Sequence, residues 1–271
     1  MFKIRELLHS DIYLLENLPP PEWSIDLPNF VLLHYGYPYF HAIVAESNNK
    51  IIGFGNGILN GKTGWVGNIL VTPENRKQGI GYQLTNNIVE FLKDKGCTGQ
   101  LLVATEMGKN IYTKIGFRVT STYHRYDFNT ESNIHVLNKQ PEKIKDGDHA
   151  SIKKLDLEIT GEDRSQFIER FFATGLIYKC EKSGKIKAVY LPDLGNGYIM
   201  AKDIETGLEL MKLRANHGKK TVIVSPENID AVEFLKKEGY EFHSILPRMT
   251  LGEEVNWKPS YIFNRGAGYC G

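Results

Sequence analysis

Only three of the 271 residues are cysteine: Cys97, Cys180 and Cys270. They are odd in number, far apart and outside any CxxC spacing, so neither a disulfide framework nor a thiolate zinc site is expected, and no metal is predicted. Apolar runs are short. None approaches the roughly 18 residues that a membrane-spanning helix requires. The opening MFKIRELLHSD has no apolar segment after its first charges, which does not read as a signal peptide; the expected location is cytoplasmic, without a membrane partner. An excess of one charge is missing too. Lys and Arg number 33 against 32 Asp and Glu, and residues 1–135 carry 12 of each sign, leaving 21 and 20 for the rest. Neither half has the basic surplus of a dedicated nucleic-acid binder. What is present is ordinary globular material, 41% hydrophobic and 24% charged, long enough for one large or two small domains.

The chain reads as an α+β protein. Phe2–Leu7 suits a short strand, and Ser10 is placed to cap a helix over 11–18 that Pro19-Pro20-Pro21 ends. An aromatic segment broken by Pro28 and Pro38 follows. HAIVAE, IIGFGNGIL and WVGNILVT, separated by SNNK and NGKTG, predict three successive antiparallel strands. Ile80, Leu84, Ile88, Phe91 and Leu92 recur at helical spacing from Gly79 to Lys95, with Gly96 as a left-handed cap. Then come a strand QLLVAT, a helix KNIYTKIG closed by Gly116, and an alternating strand FRVTSTYHRYDF.

The second half repeats this order. IHVL resembles a short strand, and helices are expected over 148–159 and 163–172, with Thr160 and Asp163 as cap partners. A hairpin around Ser183-Gly184, a strand GYIMAKDI, a helix over 206–216, a strand TVIVS, a helix over 229–238 and a last strand YEFHSILPRMTL complete it. LLVATEMGKNIYTKIGF and VIVSPENIDAVEFLKKEGY share one pattern of strand, loop, helix, glycine, aromatic and strand, which predicts a tandem duplication.

Chemistry concentrates in Val71-Thr-Pro-Glu-Asn-Arg76-Lys77-Gln78-Gly79-Ile80-Gly81. A strand runs into a basic, glycine-containing turn that opens a long helix. The first N–H groups of a helix lack intrahelical partners and point outward with the positive end of the dipole, so an anion is favoured there. Taken alone, a GxG at a helix start is also plain turn chemistry, and this run is neither a P-loop nor a Rossmann fingerprint.

Arg76-Lys-Gln-Gly79-Ile-Gly81 resembles the R/Q-x-x-G-x-G/A signature of the GNAT superfamily of acyl-CoA-dependent N-acyltransferases, and Ile111-Tyr112-Thr-Lys-Ile-Gly116-Phe117 resembles that family's L-Y-x-K-x-G-F motif. The likeness covers nearly all of residues 1–128. It implies tandem GNAT-like domains, each a mixed, mostly antiparallel sheet flanked by helices: 1–130 with the acyl-CoA site and 131–271 degenerate. It implies acetyl-CoA as cosubstrate and a small-molecule or peptide amine as acceptor. The backbone of Leu70 and Val71 would pair with the pantetheine arm, and Arg76, Lys77, Gln78, Gly79, Ile80 and Gly81 would hold the pyrophosphate. Tyr112 would be the general acid for the departing thiolate; the alternative role for its ring is packing its helix onto the sheet. The family's asparagine and alanine, seven and four residues before the tyrosine, are here Thr105 and Gly108.

No general base is evident. Glu22, Asp26 and His34 lie where the family places acceptor loops, and Trp23, Tyr35, Tyr37 and Tyr39 would line a pocket or fill core. Asn68, before the cradle, is a candidate to face the acceptor. In the second half the cradle motif is absent, Asp203 and Glu205 would repel a pyrophosphate, and Leu235 stands where the first half has Tyr112, although Asn228 and Ala231 keep the N-x-x-A places. The expected activity is acetyl transfer to a primary amine by direct attack, the alternative a non-catalytic acyl-CoA sensor. Relatives that act on tRNA exist in this family, but the balanced charge argues against nucleic acid.

Overall fold

The computed structural model describes residues 1–20, 25–129 and 135–271. It divides into two compact units. The first comprises Met1–Arg118, Met249–Glu254 and Gly268–Cys270; the second comprises Val119–Arg248, Val255–Ala267 and Gly271.

The first unit is built on β1 (Lys3–Glu6), α1 (Leu27–His34), β2 (Phe40–Ser47), β3 (Lys50–Asn60), β4 (Thr63–Val71), α2 (Ile80–Asp94), β5 (Gly99–Val103) and α3 (Glu106–Ile115). Strands β2 to β4 form the antiparallel meander that the turns predict, β1 adds to it antiparallel to β2, and β5 joins β4 in parallel. Met249–Gly252, the last residues of a later strand, lie beyond β5. The first predicted helix is a 3-10 turn over His9–Leu15. The tighter winding lets Asp11 accept the Leu8 N–H at 2.8 Å while pairing with Arg5 at 2.6 Å.

Two apolar layers cover this sheet. On one face, α2 lays Ile80, Leu84, Ile88 and Leu92 against the strands. Gly53, Gly55 and Gly57 permit that closeness, since a Cβ on Gly55 would stand 2.8 Å from Ile69 and 2.9 Å from Ile88. On the other face, Phe54 and Leu70 pack with Leu15, Leu27 and Val31.

The second unit contains β6 (Arg118–Asp127, from Val119 onward), β7 (Glu142–Lys143), α4 (His149–Thr160), α5 (Ser165–Ile168), β8 (Leu176–Lys179), β9 (Ile186–Leu191), β10 (Tyr198–Ala201), α6 (Ile204–Asn216), β11 (Thr221–Val224), α7 (Ile229–Lys237), β12 (Glu241–Gly252, up to Arg248) and β13 (Ile262–Asn264). β12, β6 and β11 are neighbours, and β13-β10-β9-β8-β7 form a second sheet. The helix expected over 163–172 breaks after one turn into a 3-10 segment, Glu169–Thr174. The expected strand at IHVL is absent over His135–Leu137, and Ile134 lies outside the described residues. A buried ion pair braces this unit: Arg164 donates from Nε to Asp156 Oδ2 at 3.0 Å, with both side chains 1% exposed.

Among the described residues no helix is long and apolar enough to cross a membrane, and no cluster of three His, Cys, Asp or Glu side chains suits a metal ion.

Candidate functional site

The turn between β4 and α2 leaves the head of the helix open. Lys77 has φ of 62° and Gly79 of 79°, so the backbone is twice left-handed before the helix begins. Such a φ strains a side-chain-bearing residue but not glycine. A Cβ on Gly79 would meet no atom within 4 Å, so the space over the helix start is open. The first intrahelical bond is Gln83 N–H to the Gly79 carbonyl at 3.0 Å. The N–H groups of Ile80, Gly81 and Tyr82 precede it and stay available to a ligand. Gly81 serves packing: its Cβ would stand 3.3 Å from Ile111 and 3.8 Å from Val71, which seats α2 against α3 and β4.

The side chains of the motif have distinct stations. Arg76 is half-buried, and its Nε donates to the Val71 carbonyl at 3.2 Å, tying the turn to the end of the strand. Lys77 and Gln78 are exposed beside the opening. Leu70 is buried, pairing with Phe54, while Val71 pairs with Gly53.

β4 itself is irregular. Its register against β3 slips between Phe54↔Leu70 and Asn56↔Gly67, so Asn68 and Ile69 together face Gly55. This is a β-bulge, with Asn68 left-handed at φ 49°. The parallel ladder to β5 covers Thr63–Trp65 against Gly99–Leu101 and extends no further. Past it, among the described residues, no strand pairs with the edge of β4 that carries the bulge, Leu70 and Val71.

Tyr112 sits on α3, in the same apolar cluster as Ile80 and Phe117. Its ring meets Phe117 edge-on at 6.3 Å between centroids. Burial pushes its phenol up to about 12. Gly108 makes room for it, because a Cβ there would stand 2.7 Å from the ring and 3.1 Å from the hydroxyl. Thr105 takes the capping role at the head of α3, its Oγ1 accepting the Gly108 N–H at 3.2 Å.

The other candidates are accounted for individually. Asp26 caps α1, accepting the Asn29 N–H at 3.0 Å. His34 is fully buried, bonded to the Tyr39 hydroxyl at 3.0 Å and edge-on to Phe30. Asn68 donates from Nδ2 to Asn56 Oδ1 at 2.9 Å. Glu22 and Trp23 lie outside the described residues. Asn56 and Tyr269 are in this region and were not predicted. A lone asparagine among Gly53, Gly55 and Gly57 in an apolar strand was the signal available for the first.

The corresponding place in the second unit is built differently. Asp203 caps α6 with its own carboxylate, accepting the Thr206 N–H at 3.0 Å and an ion pair from Lys187 at 3.2 Å. Asn228 caps α7 as Thr105 caps α3, and Leu235 is fully buried.

Residues 38–119 match the family model described as an acetyltransferase (GNAT) domain. A thialysine N-epsilon-acetyltransferase from Sus scrofa is 27% identical over 114 residues, 35% of this chain and 67% of the pig protein. The structure of a candidate acetyltransferase from Pyrococcus horikoshii superposes over 100% of this chain and 96% of its own, with a TM-score of 0.83 and 19% identity. A tandem GNAT protein from the clavulanic acid biosynthesis pathway matches over 93% of this chain and 98% of its own, at a TM-score of 0.59 and 13% identity. The chain therefore has the mixed α+β GNAT fold, and its residues 38–119 are similar to an acetyltransferase (GNAT) domain.

Proposed function

We propose that the first unit transfers an acetyl group from acetyl-CoA to a primary amine by direct attack within a ternary complex. The observation that carries this reading is the open, glycine-gated start of α2, beside the unpaired edge of β4 and packed through Gly81 against the helix that bears Tyr112. The residues present fit the cosubstrate: three free helical N–H groups and Lys77 suit a pyrophosphate, and the edge of β4 at Leu70 and Val71 suits the amide-rich pantetheine arm. Acetyl-CoA supplies an activated thioester carbonyl.

The chain's own part is positioning and proton supply. The cradle and the β4 edge fix the thioester beside the bulge, and holding two reactants in line removes much of the entropic barrier. Tyr112 Oη gives its proton to the departing sulfur as the C–S bond breaks, and the phenolate regains a proton from the adduct nitrogen through water. Burial that raises the phenol to about 12 also disfavours a bare thiolate in the same surroundings, so donor and acceptor stay matched. An alkylamine is mostly protonated at neutral pH, and it loses its proton to solvent through water, since Asp26 is committed to the α1 cap and His34 to Tyr39. The name of the pig relative supports a primary aliphatic amine as acceptor. The second unit, with Asp203 over its helix start and Leu235 in place of the tyrosine, is read as a degenerate GNAT-like domain without a CoA site.

The test is thiol release on mixing the protein, acetyl-CoA and a panel of primary amines. Amine-dependent release supports transfer. CoA binding with no release from any amine favours a sensor.

A further inference from the structure

We propose that the first unit carries a second ligand site, remote from the start of α2: a cavity between the end of β1, the turn after α1 and the start of β2 binds a small organic ammonium ion, held by the Glu6 carboxylate among the rings of Tyr35, Phe40 and His41. The inference does not depend on the transfer reaction.

The cavity has a volume of about 140 Å³, and its walls include Glu6, Tyr35, Gly36, Phe40 and His41. An apolar cavity of about 150 Å³ accepts a benzene, so the space suits a group of roughly six non-hydrogen atoms, the size of a trimethylammonium head. Its entrance is kept clear at Gly36, which is left-handed at φ 82° and where a Cβ would meet no atom within 4 Å. The register places it away from the cradle. Phe40 pairs with Ile58, and Ile58 with Trp65, six residues before Val71. At about 3.4 Å per residue this is roughly 20 Å along the sheet.

The walls are fixed before any ligand arrives. The His41 ring lies flat on Phe91, 3.7 Å between centroids and 7° between planes. Tyr35 is set edge-on against His9 at 5.5 Å, and Phe40 against Phe30 at 5.8 Å. Glu6 pairs with Ile43, two places from His41, so Glu6 and His41 share the face of the sheet that α2 covers.

Charge selects the occupant. Glu6 is the one carboxylate in the lining, and the neighbouring cations are engaged elsewhere. Lys3 pairs with Glu46 at 3.0 Å, Arg5 pairs with Asp11 and Glu46, and Lys95 stands over the Phe91 ring at 5.5 Å. Burial holds His41 below the ordinary imidazole range, with Glu6 opposing and Lys95 reinforcing that shift, so its ring is uncharged at neutral pH and does not repel a cation. Aromatic rings attract an ammonium through their quadrupole, and a carboxylate beside them adds to that attraction. A neutral molecule of the same shape gains the apolar contact alone, and an anion is repelled by Glu6.

The test titrates choline, propylammonium and 3,3-dimethylbutan-1-ol, the uncharged isostere of choline, into the ¹⁵N-labelled full chain, following backbone amide signals. Choline or propylammonium should saturably shift the signals of Gly36, His41 and Ala42 and leave those of Gly79 and Gly81 in place. The better cation should bind at least about fivefold more tightly than the alcohol, and the two cation arms separate a quaternary from a primary ammonium. Glu6 makes no ion pair, so folded Glu6→Gln should lose that preference, and Tyr35→Leu should weaken the cation by a similar factor. No shift at Gly36 and His41 with either cation, equal affinity for the alcohol, shifts confined to Gly79 and Gly81, or binding unchanged in both variants would overturn the proposal. Failure to acetylate any amine would count against the transfer reading and not against this site.

Discussion

Tyr112→Phe should lower kcat by about 10²- to 10⁴-fold, the range for loss of a positioned general acid, and leave the affinity for acetyl-CoA within about twofold. The substitution removes one oxygen and keeps the ring, so the contact with Phe117 and the fit over Gly108 persist. A drop in kcat and in kcat/KM together marks an interaction made only in the transition state. A rise in KM alone would mean that the ring merely packs. The pH profile supplies a second sign. With the phenol pushed up to about 12 and an ordinary value of 10, Tyr112 holds its proton throughout the range where the amine becomes neutral. The rate should therefore climb with pH as the amine deprotonates, and no fall attributable to Tyr112 should appear below about pH 10. The same raised pKa contributes stability that is complete below pH 10 and is lost between about 10 and 12, because the unfolded phenol ionises first. In Tyr112→Phe that alkaline loss should shrink.

Asp156→Ala should destabilise the second unit by about 3–5 kcal/mol. Arg164 directs Nε and Nη2 to the two carboxylate oxygens, at 3.0 and 2.5 Å, and stacks over Tyr198 at 4.9 Å, all of it buried. Removing the anion leaves a guanidinium in a medium that solvates it poorly, which is where the cost arises. Replacing both partners, Asp156→Leu with Arg164→Leu, should recover most of that loss because neither desolvation penalty remains. Urea unfolding of the wild-type chain and the two variants measures this; a double variant as unstable as the single one would contradict it.

Local signals in the sequence located the turn that opens α2. Arg76 to Gly81, the helical spacing of Ile80, Leu84 and Ile88, and the left-handed glycines 96, 116, 218 and 239 all depend on contacts a few residues apart, which periodicity and turn chemistry report. The meander of β2, β3 and β4 was legible for the same reason. The bulge at Asn68 was not, since it exists only in the pairing of β4 with β3 and a one-residue slip leaves no trace in either strand's composition. Tyr269 was harder still. Its place over Gly67 joins positions about two hundred residues apart, and nothing local distinguishes it from the other aromatics near it. The 3-10 winding of His9–Leu15 reflects Arg5 and Asp11, a pair whose geometry the helical pattern does not encode.

The central claim is that one helix start, that of α2, holds acetyl-CoA, and calorimetric titration tests it most directly. One acetyl-CoA should bind per chain. Gly79→Val, which forces a β-branched residue to a φ of 79° and places its methyls in the open cradle, should abolish that binding while the protein stays folded. Two molecules per chain, or binding that survives Gly79→Val unchanged, would contradict the account.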